Sequence, residues 1–359
     1  MTLPNLQALG WNETLMEHFA PYASNAEFTV ARVALEHKHL YRVYSEHGDL
    51  LASVTGKMRH EALGREAYPA VGDWVVISAR PEEGKATVHG ILPRFSKFSR
   101  KVAGNTTEEQ IVAANVNTVF LVMALNNDFN IRRLERYLVA AWESGANPVV
   151  ILTKSDLCDD IEDKISDVES VAFGVPIHAI SSELNQGLEQ LQPYIGEGKT
   201  VALIGSSGVG KSTLVNRLCG EDRMMTKEVR EGDDRGKHTT TYRELIRMPQ
   251  GGLLIDTPGM RELQLWEADE SSLSGSFADI DELASACFYR DCKHHNEPGC
   301  AVQRALESGT LEQARFQSYL KLQKELAYLE RKSDVRAAAA QRDKWKQITK
   351  SMRGTTKKK

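Results

Sequence analysis

Two spacings of hydrophobic residues divide the chain. Between residues 28 and 92 the apolar positions form short runs separated by turn signals, such as Gly48-Asp49 and Gly72-Asp73. From residue 116 onward, longer and almost continuous apolar runs alternate with segments whose apolar residues recur at helical spacing. The first pattern is typical of short strands, and the second is typical of a parallel sheet covered by helices on both faces.

The strand-rich region predicts a small β-barrel over residues 26–95, after an N-terminal extension at 1–25. Its five apolar runs are 28–33, 40–44, 51–54, 74–78 and 86–89. Five strands in about 65 residues fit a small closed barrel, and the OB-fold is the common barrel of that size. Many such barrels bind RNA, but other small barrels share the pattern, which therefore leaves RNA binding by this module open.

Residues 111–272 are predicted to form an α/β domain, and the polar, basic stretch 96–110 before it is predicted to be a linker. Apolar strands are expected at 116–123, 148–152, 176–180, 201–204 and 253–256, with a helix at 131–143. Ligands of open α/β sheets bind at the carboxyl ends of the strands. The loops that follow these strands are therefore the places to look for chemistry.

The loop after the strand 201–204 has the composition of a phosphate-binding loop. It consists of Gly205, Ser206, Ser207, Gly208, Val209, Gly210, Lys211, Ser212 and Thr213. The glycines let successive backbone N–H groups point at one anion, and the helix that follows adds its positive N-terminal end. Lys211 is expected to reach the β- and γ-phosphates, and the Ser212 hydroxyl is placed to bind Mg²⁺. The chain is therefore predicted to bind a nucleoside triphosphate.

Two further segments are predicted to complete the phosphate side of this site. Asp256 ends an apolar strand, as a Walker B aspartate does, and Gly259 of the sequence Asp-Thr-Pro-Gly could offer a backbone N–H to the γ-phosphate. Thr240 lies in a Gly- and charge-rich loop, where a switch with a Mg²⁺-binding threonine belongs. The alternative is that this is an ordinary surface loop.

The base is predicted to be guanine. Thr153, Lys154, Ser155 and Asp156 follow the strand 148–152. The Asp156 carboxylate would accept hydrogen bonds from guanine N1–H and N2–H₂, a pattern that adenine does not offer, and the Lys154 stem would cover the ring. Ser181 and Ser182 fit a second base loop after the strand 176–180. The alternative is an ATPase in which the Thr-Lys-Ser-Asp sequence occurs by chance.

The order of these loops is circularly permuted. In an ordinary GTPase the base-recognition loop follows both phosphate-contacting elements, whereas here it precedes the phosphate loop. The permutation preserves the site, because every loop lies at the same edge of the sheet. The switch elements are now followed directly by the C-terminal region, so the nucleotide state can reach that region through a short connection.

A metal-binding region is predicted at residues 273–330. Cys287, Cys292, His294 and Cys300 lie within fourteen residues and can complete a tetrahedral Zn²⁺ shell. A closed shell of this kind is structural, and one zinc is expected. His295 is the rival ligand at the position of His294. The spacing of apolar residues from 311 to 329 predicts an amphipathic helix in the same region.

The distribution of charge and the clustering of the cysteines indicate what kind of partner and which cellular compartment to expect. Residues 331–359 contain eleven Lys and Arg and two Asp, which gives this segment a net charge of +9. The whole chain has a formal net charge of −4, so the residues before 331 carry −13. The basic helix and tail, which include Trp345, favour a polyanionic partner. No apolar run approaches the ~20 residues of a membrane span, and the clustered cysteines suit metal ligation in a reducing compartment. We expect a cytoplasmic protein.

Taken together, these motifs resemble the RsgA (YjeQ) family of circularly permuted GTPases, which assist late maturation of the bacterial small ribosomal subunit. The resemblance covers nearly the whole chain: the barrel, TKSD before GSSGVGKST, then GKHTTT, DTPG and C-x4-C-x-H-x5-C. It implies an OB-fold, a GTPase core and a mostly α-helical zinc domain, with the 30S subunit and its 16S rRNA as partners of a monomer. Thr153 stands where other GTPases carry Asn, although Thr is also seen in this family.

Hydrolysis of GTP to GDP requires a group that orients water. Met260 occupies the place where many GTPases put a glutamine, and a thioether cannot position a nucleophilic water. His238, two residues before Thr240, is the best candidate for that role. The alternatives are that His238 contacts rRNA or faces solvent. A different class of protein also fits, namely an RNA-binding protein that holds GTP as a structural or signalling ligand without useful turnover.

Overall fold

The computed structural model describes residues 5–37, 40–62, 64–101, 109–220, 243–256, 277–294 and 297–324. The chain divides into two compact units, Met1–Gln264 and Leu265–Lys359, which are treated separately below. Among the described residues, no helix is both long enough and apolar enough to cross a membrane.

The first unit begins with the predicted barrel. Its strands are β1 (Phe28–His37), β2 (Leu40–Ser45), β3 (Gly48–Val54), β4 (Trp74–Arg80) and β5 (Lys85–Ile91). They pair in the order β1-β2-β3-β5-β4, and β4 pairs back onto β1. The long strand β1 closes the barrel because its first half pairs with β4 and its second half with β2. Only the β3–β5 pair is parallel among these. The prediction of a five-stranded OB-type barrel is confirmed.

Two short helices flank these strands. Helix α1 (Glu13–Phe19) begins where the Asn12 side chain accepts a hydrogen bond from the backbone N–H of Leu15, and α2 (Gly56–Glu61) follows β3. The side-chain oxygen of Asn12 satisfies one of the N–H groups that the first turn of a helix leaves without a partner. Trp11 then packs at 4.9 Å, centroid to centroid, on the buried Trp74. The N-terminal extension is therefore held against the barrel core.

The prediction of a linker at 96–110 is wrong at both ends of that stretch. Strands β6 (Lys97–Lys101) and β7 (Glu109–Ala114) form an antiparallel pair. Phe98 and Ile111 are buried, whereas Lys97 is 39% exposed. Along β6 the buried Phe98 thus alternates with the more exposed Lys97 and Ser99, but the basic residues make the stretch look polar. Strand β7 is buried over its last four residues.

The α/β domain has the predicted parallel sheet. Its strands are β8 (Thr118–Ala124), β9 (Asn147–Thr153), β10 (Ile177–Ala179), β11 (Thr200–Ile204), β12 (Glu244–Arg247) and β13 (Leu253–Asp256). They lie in the order β10-β9-β8-β11-β13-β12, and β12 runs antiparallel to β13 while the other pairs are parallel. The helices described between these strands are α3 (Ile131–Ser144), α4 (Ile161–Glu169) and α5 (Lys211–Cys219).

Burial on both faces explains the continuous apolar runs. Along β8, Val119 and Leu121 belong to the core that contains Leu134 of α3, whereas Phe120 and Val122 belong to the core that contains Leu214 of α5. Successive side chains of a strand point to opposite faces, so a strand covered on both faces needs an apolar residue at every position. The sheet is therefore sandwiched between helices, as predicted.

Strand β12 joins this sheet to the barrel. Leu35 of β1 pairs with Glu244, and the Tyr44 hydroxyl donates a 3.2 Å hydrogen bond to the carbonyl of Leu245. The guanidinium of Arg247 lies 4.6 Å from the centre of the Tyr44 ring. Eleven strands consequently form one continuous sheet that runs from the α/β domain into the barrel.

The second unit contains helices α6 (Ala278–Ser285), α7 (Ala301–Ser308) and α8 (313–324). Arg315 of α8 donates two 2.7 Å hydrogen bonds to the Asp279 carboxylate of α6 and lies over the ring of Phe277. This paired, bidentate contact fixes α8 against α6. The prediction of a helix at 311–329 is confirmed as far as residue 324, beyond which the chain lies outside the described residues.

Candidate functional site

The phosphate loop connects β11 to α5, as the sequence predicts. A Cβ atom at Gly205 would lie 2.3 Å from the carbonyl oxygen of Val122, so this position requires glycine. Gly208 and Gly210 have φ angles of +77° and +90°, which side-chain-bearing residues rarely adopt. Lys211, Ser212 and Thr213 form the first turn of α5, whose N-terminal N–H groups favour an anion.

The Lys211 side chain is hydrogen-bonded to the backbone of the phosphate loop. Its ammonium donates to the carbonyl of Gly205 at 2.6 Å and to the carbonyl of Ser206. Val209 is fully buried beneath the loop. The charged group is thereby held next to the loop in which a phosphate would lie.

The base-recognition loop is bonded to the phosphate loop. Strand β9 ends at Thr153, Lys154 has a left-handed φ of +60°, and a turn over Ser155–Leu157 leaves Asp156 exposed. The Thr153 hydroxyl donates a 2.6 Å hydrogen bond to the carbonyl of Val209. The threonine that departs from the common GTPase pattern therefore connects the two loops through a direct bond.

The second base loop lies beside the first and contacts α5. The backbone N–H of Ser155 donates to the carbonyl of Ile180 at 3.2 Å, at the start of the loop that contains Ser181 and Ser182. Arg217 of α5 donates a 2.9 Å hydrogen bond to the carbonyl of Ser182. The predicted base residues and the phosphate loop thus meet at the carboxyl edge of β9, β10 and β11, as the permuted order requires.

Some predicted site residues lie outside what can be described. His238, Thr240, Gly259 and Met260 fall outside the described residues. Asp256 ends β13, directly beside the strand that leads into the phosphate loop, and its backbone pairs with Glu244. The roles of these residues stay predictions.

Sequence reasoning missed one cluster at this site. The Ser206 hydroxyl donates a 3.1 Å hydrogen bond to the carboxylate of Asp128, which comes four residues after the end of β8. Arg133 of α3 forms a 2.8 Å ion pair with the same carboxylate. The available signal was the position of Asp128 in a loop at the carboxyl edge of the sheet, where site residues collect.

The predicted metal ligands come together in the second unit. The ligand atoms of Cys287, Cys292, His294 and Cys300 all lie within 4.8 Å of one another. Cys287 Sγ is 3.8 Å from Cys300 Sγ, and His294 Nδ1 is 3.6 Å and 3.5 Å from these two sulfurs. A tetrahedral zinc shell places two sulfurs about 3.8 Å apart and a sulfur and a nitrogen about 3.5 Å apart. The observed spacing fits Zn²⁺, while His295 lies outside the described residues.

Comparisons of the chain with protein families and with individual proteins agree on one family. The family described as RsgA GTPase matches residues 91–266. The chain is 51% identical over 320 residues to "Small ribosomal subunit biogenesis GTPase RsgA 1" of Oceanobacillus iheyensis, covering 89% of the chain and 91% of the relative. It is 47% identical over 356 residues to "Small ribosomal subunit biogenesis GTPase RsgA" of Opitutus terrae, covering 97% of each.

Two solved structures are also similar. The crystal structure of YjeQ from Thermotoga maritima matches with a TM-score of 0.63 and 28% identity, over 84% of this chain and 99% of that one. The structure of YloQ, described as a circularly permuted GTPase, matches with a TM-score of 0.60 and 25% identity, over 84% and 95%. Each likeness covers a larger share of the chain than the family match to residues 91–266.

Proposed function

The chain belongs to the RsgA family of circularly permuted GTPases, and we propose that it hydrolyses GTP while bound to the small ribosomal subunit, as a late factor in the assembly of that subunit. One observation carries the nucleotide part of this proposal. The Thr153–Val209 hydrogen bond joins the guanine-recognition loop to the phosphate loop, so both halves of a GTP site are fixed relative to each other. The names of the relatives supply the ribosomal part.

Each part of GTP has its own contacts in this site. Asp156 recognises guanine N1–H and N2–H₂, and the Lys154 stem and the Ser181–Ser182 loop flank the base. The loop 205–210, Lys211 and Thr213 bind the α-, β- and γ-phosphates. Ser212, Thr240 and Asp256 hold Mg²⁺, which neutralises charge that develops on the phosphates. Gly259 offers its N–H to the γ-phosphate.

Water is oriented by His238 in this proposal. Its imidazole lies two residues from Thr240 in the sequence, so a loop that brings Thr240 to Mg²⁺ also brings His238 near the γ-phosphate. Neutral histidine accepts a hydrogen bond from water, and an ordinary histidine pKa of about 6.5 keeps that form abundant at neutral pH. Binding to the subunit accelerates turnover by ordering this loop.

Cys287, Cys292, His294 and Cys300 hold one structural zinc. The sulfur and nitrogen spacings of the cluster match a four-coordinate shell, which leaves no position for a substrate. The zinc contributes folding free energy to the second unit rather than chemistry.

The partner on the subunit is 16S rRNA, contacted by the barrel and by the basic residues of 331–359. The net charge of +9 in that tail attracts RNA phosphates whatever the nucleotide sequence. The protein acts as a monomer in the cytoplasm, where subunits are assembled.

A turnover assay with purified small subunits tests the proposal. The full chain is incubated with GTP or ATP, with and without subunits, and released phosphate is measured. We expect slow GTP hydrolysis that subunits accelerate strongly, and little ATP hydrolysis in either case. Lys211→Ala is the control, because it removes the ammonium that lies beside the phosphate loop and should abolish both rates.

Three results would each overturn part of the proposal. Equal hydrolysis of ATP would contradict guanine recognition. A GTPase rate that subunits leave unchanged would contradict the ribosomal role. Tight GTP binding without turnover, even on subunits, would instead support the RNA-binding protein that holds GTP as a ligand.

A further inference from the structure

We infer that Asp128 is a positioning residue for phosphate binding, and that it acts through the hydroxyl of Ser206. The inference rests on the nucleotide site proposed above. Asp128 lies in the loop between β8 and α3. It belongs neither to the phosphate loop nor to the base loops or the predicted switches.

The contacts form a chain of hydrogen bonds, which we call the Ser206 cluster (Asp128, Arg133 and Ser206). The Ser206 hydroxyl donates to Asp128 Oδ2 at 3.1 Å. A serine hydroxyl has one proton, so this bond fixes the direction of the Ser206 side chain.

Arg133 fixes the acceptor end of the chain. Its Nη2 lies 2.8 Å from Asp128 Oδ2 and also donates to the backbone carbonyl of Asp128. Arg133 therefore contacts Asp128 at both its carboxylate and its backbone carbonyl. Arg133 also balances a negative charge that would otherwise lie close to the phosphates.

Ser206 is consequently held from two sides. Its side chain donates to Asp128, and its carbonyl accepts from Lys211. The start of the phosphate loop is thus bonded both to α5, which follows it, and to the loop that joins β8 to α3. Backbone N–H groups bind a phosphate well only when they already point at it, so fixing this turn in advance lowers the cost of binding.

The test compares ligands that differ only in their phosphates. GDP, a non-hydrolysable GTP analogue and guanosine are titrated into the full chain with Mg²⁺, for wild type, Ser206→Ala and Asp128→Ala. We expect each variant to bind GDP and the analogue about tenfold more weakly, as the loss of one well-formed hydrogen bond implies. Guanosine affinity should change less than about twofold, because Asp156 and Lys154 are unaffected.

Further variants separate positioning from other effects. Ser206→Thr keeps the hydroxyl and should restore most of the affinity. Asp163→Asn removes an exposed carboxylate from α4 and should leave all three affinities unchanged. The double variant Ser206→Ala with Asp128→Ala should lose no more than the single variants, because both break the same hydrogen bond.

Several outcomes would overturn the inference. If guanosine and GDP weaken equally, the cluster supports only the fold. If Asp128→Ala binds GDP more tightly, the charge of Asp128 matters more than its hydrogen bond. Unchanged GDP affinity in Ser206→Ala would remove the inference outright. Failure of the wild type to bind guanosine or GDP would instead contradict the proposed nucleotide site, so the two failures are distinguishable.

Discussion

The side chain of Thr153 is shorter than the asparagine that common GTPases carry at this position, yet its hydroxyl reaches the phosphate loop. It donates to the carbonyl of Val209 at 2.6 Å. The neighbouring Gly210 has a φ of +90°, which side-chain-bearing residues rarely adopt. At this separation of the two loops a hydroxyl suffices, and the amide of asparagine is not needed.

Guanine selectivity is predicted to depend on Asp156. Asp156→Asn replaces one acceptor oxygen by a donor and leaves polar groups of the base mismatched, at a cost of about 1–3 kcal/mol for each. GTP affinity should fall, and affinity for xanthosine triphosphate should rise. Titration with both nucleotides measures the change.

Asp159→Asn is the matched control for this substitution. It removes another exposed carboxylate, three residues further along, and should leave both affinities as in the wild type. A GTP affinity that stays constant in Asp156→Asn would refute the assignment of the base loop.

Hydrolysis is predicted to depend on His238. In His238→Ala no imidazole accepts a hydrogen bond from the attacking water, so most of the subunit-stimulated rate should be lost while GTP and subunits still bind. The stimulated rate of the wild type should also fall at acidic pH, because the protonated imidazole cannot act as an acceptor. Single-turnover kinetics on purified subunits report both effects.

Thr240→Ala is the companion variant, because loss of a Mg²⁺ ligand should weaken metal binding as well as turnover. His238→Ala should leave the Mg²⁺ dependence unchanged. Full stimulated turnover in His238→Ala would rule out this residue and make the ribosome the source of the water-positioning group.

At the scale of elements, β12 joins the sheet of the α/β domain to the barrel. Arg42 of β2 forms an ion pair with Glu244, and Arg247 lies over Tyr44. Strand β12 follows the predicted switch loop in the sequence and pairs with β13, which ends at Asp256. This four-residue strand therefore links the barrel directly to the edge of the nucleotide site.

The second unit is predicted to depend on zinc. Structural zinc contributes about 10–16 kcal/mol of apparent binding free energy in zinc-finger peptides, which exceeds the folding free energy of a small domain. Metal analysis should find one zinc per chain. Cys292→Ala should unfold the region after about residue 275, seen as new protease cleavage, and should spare nucleotide binding.

Cys158→Ala is the control for the loss of a thiol. Cys158 lies near Lys164 in the first unit, far along the chain from the metal-binding cluster, and its removal should not change the zinc content. A metal-free chain whose second unit still resists protease would contradict the structural role of the metal.

At the scale of the molecule, an acidic body carries a basic end. Residues 331–359 carry +9 and the preceding residues −13. If the tail neutralises about five rRNA phosphates, deleting it should flatten the log–log salt dependence of RNA binding by roughly 3–5 units. Fluorescence anisotropy over a series of salt concentrations measures that slope.

A tail of equal length in which every Lys and Arg is replaced by Gln separates charge from length. It should behave as the deletion does, because the counterion release depends on charge. An unchanged salt slope in either variant would show that the tail is simply a solvated surface.

Residues near one another in the sequence determined most of what could be predicted. The five barrel strands, the strands of the parallel sheet and the phosphate loop were located correctly, because alternation, continuous apolar runs and glycines with positive φ are local signals. The four metal ligands were found for the same reason, since they lie within fourteen residues. The hairpin of β6 and β7 was missed because basic residues in β6 obscured the alternation of buried and more exposed side chains along that strand.

Only the tertiary structure decided which distant residues meet. The bonds of Thr153 to Val209 and of Ser206 to Asp128 join residues 56 and 78 positions apart. Such contacts depend on the order of strands in the sheet, which places β8 between β9 and β11 although α3, α4 and β10 intervene in the chain. A single sequence specifies where a strand ends, but the side chain it faces depends on the neighbouring strand and on the register between them.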